Sequence, residues 1–327
     1  MSLSHHQDTY EFQLLTAAEL ERQRAHIEAF YREEVACRHP LTPDGLTLSV
    51  FSVAPRQDSG RQLIIVPGRG ECGHKYAELL YSLSRAGIGA GVCFVRGQGD
   101  SSPTLPGSRR SHVEDFSLYR SDLSLCLSAL GADTAWGMLG FSLGGLIALD
   151  YLMQGERLPR RLALIAPFLH PYLPCGDFPA AWLINFGNMC RKTALAATQT
   201  DYRSIPFASN HHTHCEVRYR LYHEYYARHP ELAPGGVTYG FLCQAMRAQQ
   251  RLAHDPRPFP VPVHLQYASL DRVVSSRHAA AYYQAHCPPG SPQPLALRGS
   301  FHDVLNEQDD IRNPALSRAL EFLFGSD

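Results

Sequence analysis

The chain has 327 residues, of which 44% are hydrophobic and 19% charged, enough for one large domain or two ordinary ones with a sizeable buried core. Thirty basic residues against thirty-one acidic ones give a formal net charge of −1. Nucleic-acid binding is therefore not expected, because such proteins usually carry a basic surplus. No apolar run is long enough for a membrane span, and the start of the sequence lacks a secretory-signal pattern, so a cytoplasmic location is expected.

Cysteine and histidine patterns give no indication of a metal site. The nine cysteines are odd in number and widely spaced, with no CxxC pair, which is typical of reduced and mostly buried thiols. His211, His212 and His214 fit no closed metal site either, so no metal and no cofactor is expected. The only lysines are Lys75 and Lys192, so nearly all the positive charge is arginine.

Hydrophobic periodicity predicts an alternation of strands and helices. A first helix is predicted over 10–36, opened by a capping-box pattern at Thr16 and Glu19. Strands are then predicted over 46–53, 62–66, 88–95, 135–139, 161–166, 263–267 and 295–297. Further helices are predicted over 76–86, 116–130, 143–153, 276–286 and 314–324.

This alternation predicts an α/β fold with a mostly parallel central sheet flanked by helices. The interval 168–255 breaks the rhythm, since it has few strand-like runs. We interpret it as a helical lid inserted over the carboxyl edge of the sheet, where α/β proteins place their ligand sites. The expected organisation is a core built from residues 1–167 and 256–327, carrying a lid of residues 168–255.

The most informative motif is Gly140-Phe141-Ser142-Leu143-Gly144, which lies between a predicted strand and a predicted helix. In that context GxSxG predicts a serine nucleophile on a sharp turn, and the Leu143 amide at the helix N-terminus becomes a candidate oxyanion donor. The alternative is a glycine-rich turn that only packs a helix on a strand.

A serine nucleophile needs a base and an orienting acid, which in this fold follow in the order acid and then histidine. Asp271 follows the strand at 263–267, and His302 follows the last short strand, so both are expected at the same sheet edge as Ser142. Asp303 is a poor orienter because the side chains of adjacent residues usually diverge. The Arg69 amide, in the turn after an early strand, is the second candidate oxyanion donor.

Several motifs together resemble the α/β-hydrolases of the monoglyceride lipase and serine aminopeptidase group. The resemblance spans roughly residues 20–325, and matches within the insertion indicate the bacterial lysophospholipase branch. Where the family usually has a histidine, this chain has Pro67, as that branch does. The resembling segments are 66–71, 75–79, 96–99, 112–116, 140–145, 206–208, 213–214, 218–219, 235–239, 271–274 and 302–307.

The resemblance implies Ser142 as nucleophile, Asp271 as orienting acid and His302 as general base. It also implies an oxyanion hole formed by the Arg69 and Leu143 amides. We further expect the substrate to contact Gly68, Arg69 and Phe141.

The predicted function is hydrolysis of the acyl ester of a lysophospholipid through an acyl-serine, with transacylation as a possible second outcome. Alternatives are a monoacylglycerol lipase, a carboxylesterase or thioesterase, an aminopeptidase, and a non-catalytic binding protein. Arg69 or Arg218 is a candidate contact for a lipid phosphate. The apolar segment 179–190 is a candidate for an acyl channel or for peripheral contact with the inner membrane. The sequence gives no indication of oligomeric state.

Overall fold

The computed structural model describes residues 12–131, 136–155, 157–172 and 177–325. Its centre is an eight-stranded sheet in the order β1-β2-β4-β3-β5-β6-β7-β8. The β1/β2 and β2/β4 pairs are antiparallel and the remaining pairs are parallel, which confirms the predicted fold class. The strands are β1 (Ala36–Arg38), β2 (Ser49–Val53), β3 (Arg61–Val66), β4 (Ile88–Phe94), β5 (Trp136–Phe141), β6 (Arg161–Ile165), β7 (Val263–Ala268) and β8 (Leu295–Leu297).

Helices cover both faces of the sheet. The sheet separates two buried apolar clusters, one on each face. The cluster on one face includes Leu123 and Leu146, and the cluster on the other includes Phe30 and Leu80. Strands buried on both faces, such as β5, are apolar along their whole length, as parallel sheets require. The helices are α1 (Ala17–Arg22), α2 (Arg24–Glu33), α3 (Ala77–Arg85), α4 (Ser117–Leu130), α5 (Leu143–Gln154), α6 (Asp177–Arg191), α7 (Glu216–Arg228), α8 (Tyr239–His254), α9 (Ser276–His286) and α10 (Asp309–Phe324).

The N-terminal helix differs from its prediction in length and continuity. The capping box is present, since the Thr16 hydroxyl accepts from the Glu19 amide and the Glu19 carboxylate accepts from the Thr16 amide. The helix is interrupted at Gln23, where ψ is 9°, and ends at Glu33. Ala36, placed in the helix by the prediction, instead begins β1. Residues 10 and 11 of the predicted helix, and residue 135 of a predicted strand, lie outside the described residues.

Helix α10 begins five residues before its predicted start, and Pro314 lies inside it. The predicted start at Pro314 lies within the second turn of the helix. The start is earlier because Asp309 and Asp310 occupy the first turn, where carboxylates favour the positive end of the helix dipole. Asp309 also accepts from the Ala17 amide at 2.9 Å, which fixes the end of α10 against the start of α1.

Three helices, α6, α7 and α8, lie between β6 and β7, where the other parallel pairs have a single crossover helix or a short connection. Helix α6 packs on α8, and α8 packs on α5. The insertion meets the loops at the carboxyl edge of the sheet, since the Asp303 amide donates to the His212 carbonyl at 2.8 Å. The limits 168–255 of the predicted lid stay a prediction.

None of the helices in the described ranges is long and apolar enough to cross a membrane. The eight cysteines in those ranges are free thiols, and five of them are buried. Cys175 lies outside the described residues.

Candidate active site

Ser142 occupies the turn between β5 and α5 in a strained backbone conformation. Its φ of 51° and ψ of −117° lie in a region that non-glycine residues rarely adopt. The flanking glycines allow this turn to sit against the sheet. A Cβ atom on Gly144 would lie 1.9 Å from the Val66 carbonyl oxygen, and one on Gly145 would lie 2.7 Å from Pro167 Cβ. Glycine at positions 144 and 145 is therefore a steric requirement of this particular turn.

The predicted triad residues come together at the carboxyl edge of the sheet. Ser142 Oγ lies 2.9 Å from His302 Nε2, and His302 Nδ1 lies 2.7 Å from Asp271 Oδ2. The other Asp271 oxygen accepts from the Val273 and Val274 amides at 2.8 and 2.9 Å. Because the carboxylate accepts from Nδ1, the assigned tautomer leaves Nε2 free to accept the serine proton. All three side chains are buried.

Two backbone amides beside the serine are available to bind an oxyanion. The Leu143 amide opens α5, where the helix dipole favours negative charge. The Arg69 amide follows β3. Within the described part of the chain, neither amide donates to another protein group. The Gly68 amide is already engaged, because it donates to Glu71 Oε2 at 2.6 Å.

The Arg69 side chain links this loop to the insertion. Its Nη1 donates to the Gly235 carbonyl at 3.0 Å, and the Tyr226 hydroxyl donates to the neighbouring Gly70 carbonyl at 2.7 Å. The side chain keeps contact with solvent although protein atoms surround it densely enough to lower its pKa by desolvation. The guanidinium therefore lies at the solvent-exposed junction between the loop after β3 and the insertion.

Gly68 and Phe141 form the packing beneath the triad. Phe141 is buried, and its ring centroid lies 5.4 Å from that of His302. A Cβ atom on Gly68 would lie 2.8 Å from the same phenyl ring, so only glycine fits there. The expected contact of these two residues with substrate stays a prediction.

The sequence reasoning missed a buried ionic cluster that joins the Arg69 loop to the His302 loop. Lys75 Nζ donates to Glu71 Oε1 at 2.6 Å and to Asp303 Oδ2 at 2.7 Å. The side chains of the three residues are only 4–8% exposed. One available signal was the rarity of lysine, since Lys75 is one of only two in the chain.

The prediction that Arg218 meets a lipid phosphate is wrong. Its side chain is 1% exposed and lies between the Glu78 and Asp309 carboxylates, each at 2.9 Å. It also donates to the carbonyls of Leu15 and Glu307. Its position on α7 directs it toward α1, α3 and α10, so this arginine holds the insertion onto the core.

This chain is similar to a known protein family and to bacterial lysophospholipases. The family model described as "Serine aminopeptidase, S33" matches residues 57–309. Lysophospholipase L2 of Escherichia coli K12 is 29% identical over 275 residues, covering 81% of each chain. The probable lysophospholipase L2 of Haemophilus influenzae is 24% identical over 280 residues, covering 83% of this chain and 86% of its own.

Solved structures show the same fold at low identity. A soluble variant of monoglyceride lipase from Saccharomyces cerevisiae, in complex with a substrate analog, gives a TM-score of 0.69 at 18% identity. That alignment covers 89% of this chain and 95% of the yeast protein. The monoacylglycerol lipase of Paleococcus ferrophilus gives a TM-score of 0.66 at 15% identity, covering 84% and 98%.

These findings confirm the predicted resemblance, the α/β-hydrolase fold and the enzyme class, a carboxylic ester hydrolase. The chain belongs to the serine aminopeptidase S33 family.

Proposed function

We propose that this protein is a lysophospholipase that cleaves the acyl ester of its substrate through an acyl-serine on Ser142. The observation that carries the proposal is the unbroken hydrogen-bonded series Asp271–His302–Ser142, with bonds of 2.7 and 2.9 Å, next to two amides that donate to no protein group among the described residues. Such an arrangement supplies a nucleophile, a base and a site for developing negative charge.

In the first half-reaction, His302 Nε2 takes the hydroxyl proton while Ser142 Oγ attacks the ester carbonyl. The Arg69 and Leu143 amides bind the tetrahedral oxyanion, and one such donor is typically worth about 2.7–4 kcal/mol of transition-state stabilisation. The imidazolium then gives its proton to the leaving alcohol, which leaves the acyl group on the serine. Asp271 stabilises the imidazolium and holds the useful tautomer.

In the second half-reaction, His302 activates a water molecule that attacks the acyl-serine, and the fatty acid is released. An alcohol in place of water would give transacylation by the same steps. No step requires a metal or an organic cofactor.

A lysophospholipid is the favoured substrate because the two curated relatives described above carry that name over more than four-fifths of this chain. Arg69 adds a physical reason, since its guanidinium is exposed to solvent on the oxyanion loop, where it can bind a phosphate with two donors. A neutral monoacylglycerol offers no such partner.

We also propose that residues 168–255 act as a lid whose helix α6 contacts a phospholipid surface. Helix α6 packs on α8 through one face and exposes large apolar side chains on the other. Trp182 and Met189 are 63% and 76% exposed, and the Trp182 and Phe186 rings are stacked at 5.5 Å. An exposed apolar helix face with Arg191 in its last turn is the pattern expected of interfacial binding.

The test of the nucleophile is Ser142→Ala, assayed on a short-chain p-nitrophenyl ester and by labelling with a fluorophosphonate probe. We expect both signals to disappear while the melting temperature stays within a few degrees. The control is Ser124→Ala, at an exposed serine of α4, which should behave as wild type. Normal turnover by Ser142→Ala would contradict the assignment, and an unreactive wild type would favour a non-catalytic binding protein.

The substrate proposal is tested with lysophosphatidylethanolamine, monoacylglycerol, a simple carboxylic ester and an acyl thioester of the same chain length. We expect the highest kcat/KM on the lysophospholipid, and Arg69→Met should reduce that preference. Equal or higher kcat/KM on the neutral monoacylglycerol would replace the proposal with a monoacylglycerol lipase.

The membrane proposal is tested by sedimentation with vesicles of phosphatidylethanolamine and phosphatidylglycerol. The variant Trp182→Ser/Met189→Ser should bind at least tenfold more weakly than wild type. Leu41→Ser is the matched control, since Leu41 is 65% exposed outside the insertion. Equal binding by all three proteins would exclude α6 as the contact.

A further inference from the structure

The buried cluster of Glu71, Lys75 and Asp303 lies on the path between the two halves of the proposed catalytic machinery. Glu71 Oε2 accepts from the Gly68 amide at 2.6 Å, and Gly68 directly precedes the proposed oxyanion donor Arg69. Asp303 directly follows His302 and accepts from Lys75 through Oδ2 and from Asn306 through Oδ1, at 2.7 and 3.0 Å. One ammonium therefore joins the loop that carries the oxyanion donor to the loop that carries the base.

We infer that Lys75 is a positioning residue, which fixes the distance between the oxyanion-hole amide of Arg69 and the imidazole of His302. This inference rests on the proposed serine-hydrolase function. The ammonium touches neither the serine nor the histidine, so it acts only through the two carboxylates that it joins.

The cluster has the properties that this role requires. Lys75 Nζ contacts Asp303, which is 228 positions away in the chain, and no main-chain bond between the two loops is found in the described residues. The side chains are almost fully buried, so water does not compete for the contacts and the ion pairs keep their strength. The Tyr222 ring covers the ammonium, with its centroid 5.0 Å from Nζ.

Electrostatics favour retention of the charged state. The two carboxylates raise the pKa of Lys75 against the opposing effect of burial, and Lys75 lowers the pKa of Asp303 despite that residue's burial. With three charges on Glu71, Lys75 and Asp303, the cluster carries one net negative charge. Removal of the ammonium would leave two carboxylates facing each other in a site with little water, and one of them would then bind a proton more readily.

The use of lysine here is consistent with the space available. Two carboxylate oxygens from different loops lie within 2.7 Å of one nitrogen, a geometry that suits a compact ammonium better than a planar guanidinium. The chain has 30 lysine and arginine residues, of which only two are lysines. This geometry gives a physical reason for lysine instead of arginine at position 75.

The experiment compares Lys75→Met with Lys192→Met. Lys192 is the matched control because it is 54% exposed and pairs with Glu114 on the surface. For Lys75→Met we expect kcat on the p-nitrophenyl ester to fall at least tenfold at pH 8, with KM changed less than threefold. Lys192→Met should stay within twofold of wild type.

The second readout is the pH dependence of the ratio of wild-type to Lys75→Met kcat. Groups whose protonation is the same in both proteins affect the two kcat values equally and cancel in the ratio. Of the histidines that face the cluster from the insertion, His212 and His223 have pKa values lowered to about 4 by burial and stay neutral at higher pH. The hydroxyl groups of Tyr76 and Tyr222 have raised pKa values, also by burial. We therefore expect the ratio to rise with pH as the carboxylate pair loses its shared proton.

A double-mutant cycle with Asp303→Asn separates positioning from general packing. Asp303→Asn breaks the same link at its other end and removes one of the two carboxylates. The double variant should therefore lose little more activity than Lys75→Met alone, and the ratio of wild-type to double-variant kcat should not change with pH. Independent structural roles would instead multiply the two losses. If Lys75→Met does not fold, Asp303→Asn alone should lower kcat at least fivefold with little change in KM.

The possible failures are distinguishable. A wild type without Ser142-dependent hydrolysis would overturn the proposed function, and the role of Lys75 would fall with it. An active wild type together with a Lys75→Met variant of equal kcat and the same pH profile would overturn only the role of Lys75. A double variant whose loss of kcat equals the product of the two single losses would also overturn only the role of Lys75.

Discussion

The tightest steric constraint at the site is at Gly144, and replacing it with alanine tests the geometry of the turn directly. The added Cβ would lie 1.9 Å from the Val66 carbonyl oxygen and 2.5 Å from that of Pro67. Non-bonded contacts settle at about 3.5 Å, so the turn must move by roughly 1.5 Å. Neither oxygen can retreat easily, because both belong to the backbone at the buried end of β3.

The movement would displace the proposed nucleophile Ser142 and the proposed oxyanion donor Leu143. The Leu143 amide directly precedes Gly144, and Ser142 precedes that amide. A misplacement of about 1 Å can cost about 100-fold in rate, and one oxyanion donor is worth about 100-fold to 1000-fold in kcat. We therefore expect Gly144→Ala to lower kcat/KM on the p-nitrophenyl ester at least 100-fold, which corresponds to about 2.7 kcal/mol.

Gly89→Ala is the matched control for this measurement. Gly89 lies near the start of β4, and a Cβ there would have its closest contact with Pro55 Cδ at 3.5 Å, an ordinary distance. Its kcat/KM should stay within twofold of wild type. A folded Gly144→Ala variant that keeps more than a tenth of wild-type kcat/KM would refute the steric account of the turn.

Three further predictions concern the orienting acid, the buried arginine and the response to acid. Asp271→Asn should lower kcat about 10⁴-fold with little change in the melting temperature, because the neutral amide no longer secures the useful imidazole tautomer; a loss below tenfold would contradict this role. Arg218→Met removes the buried cation that joins Glu78 to Asp309 and leaves Glu78 paired with Arg312; it should lower the free energy of unfolding by about 3–5 kcal/mol in a denaturant titration, whereas Arg220→Met, at a partly exposed surface pair, should cost about 1 kcal/mol or less. Burial lowers the pKa of His74 and of His212 from 6.5 to about 4, so the unfolded chain binds protons first and the melting temperature should fall as pH decreases from 6.5 to 4. Replacing both histidines with glutamine should flatten that slope, and an unchanged slope would exclude them as its source.

The triad could be predicted from the sequence because each of its members has a local signature. Ser142 lies in a strand-turn-helix motif, and Asp271 and His302 each follow a short strand. In a parallel sheet the carboxyl ends of strands meet at one edge, so three local patterns are sufficient to place three side chains together.

The ionic clusters could not be predicted because their partners are distant in sequence and have no motif of their own. Arg218 pairs with Glu78 across 140 positions, and a single arginine on an amphipathic helix looks the same whether it faces solvent or a buried carboxylate. Asp303 was correctly excluded as the orienter of His302, but nothing local indicated that its partner is Lys75.

The differences at element boundaries also have physical reasons. β1 has only three residues, all exposed, and is defined by pairing with β2 and not by any apolar pattern of its own. The break at Gln23 leaves the helical periodicity on both sides nearly in phase, so periodicity alone predicts one continuous helix. At α10 the predicted start at 314 is too late because the helix begins at the acidic residues Asp309 and Asp310.

The backbone strain at Ser142 has a consequence for how this position evolves. A non-glycine residue held at such a φ costs on the order of 1–3 kcal/mol, whereas glycine adopts it freely. Selection for thermal stability alone would therefore replace Ser142 with glycine, and because Ser142 is the proposed nucleophile, that single step is expected to make the protein both more stable and inert. Under relaxed selection for turnover, this position should be among the first to drift, and a glycine here would mark a lineage that keeps the fold for another purpose.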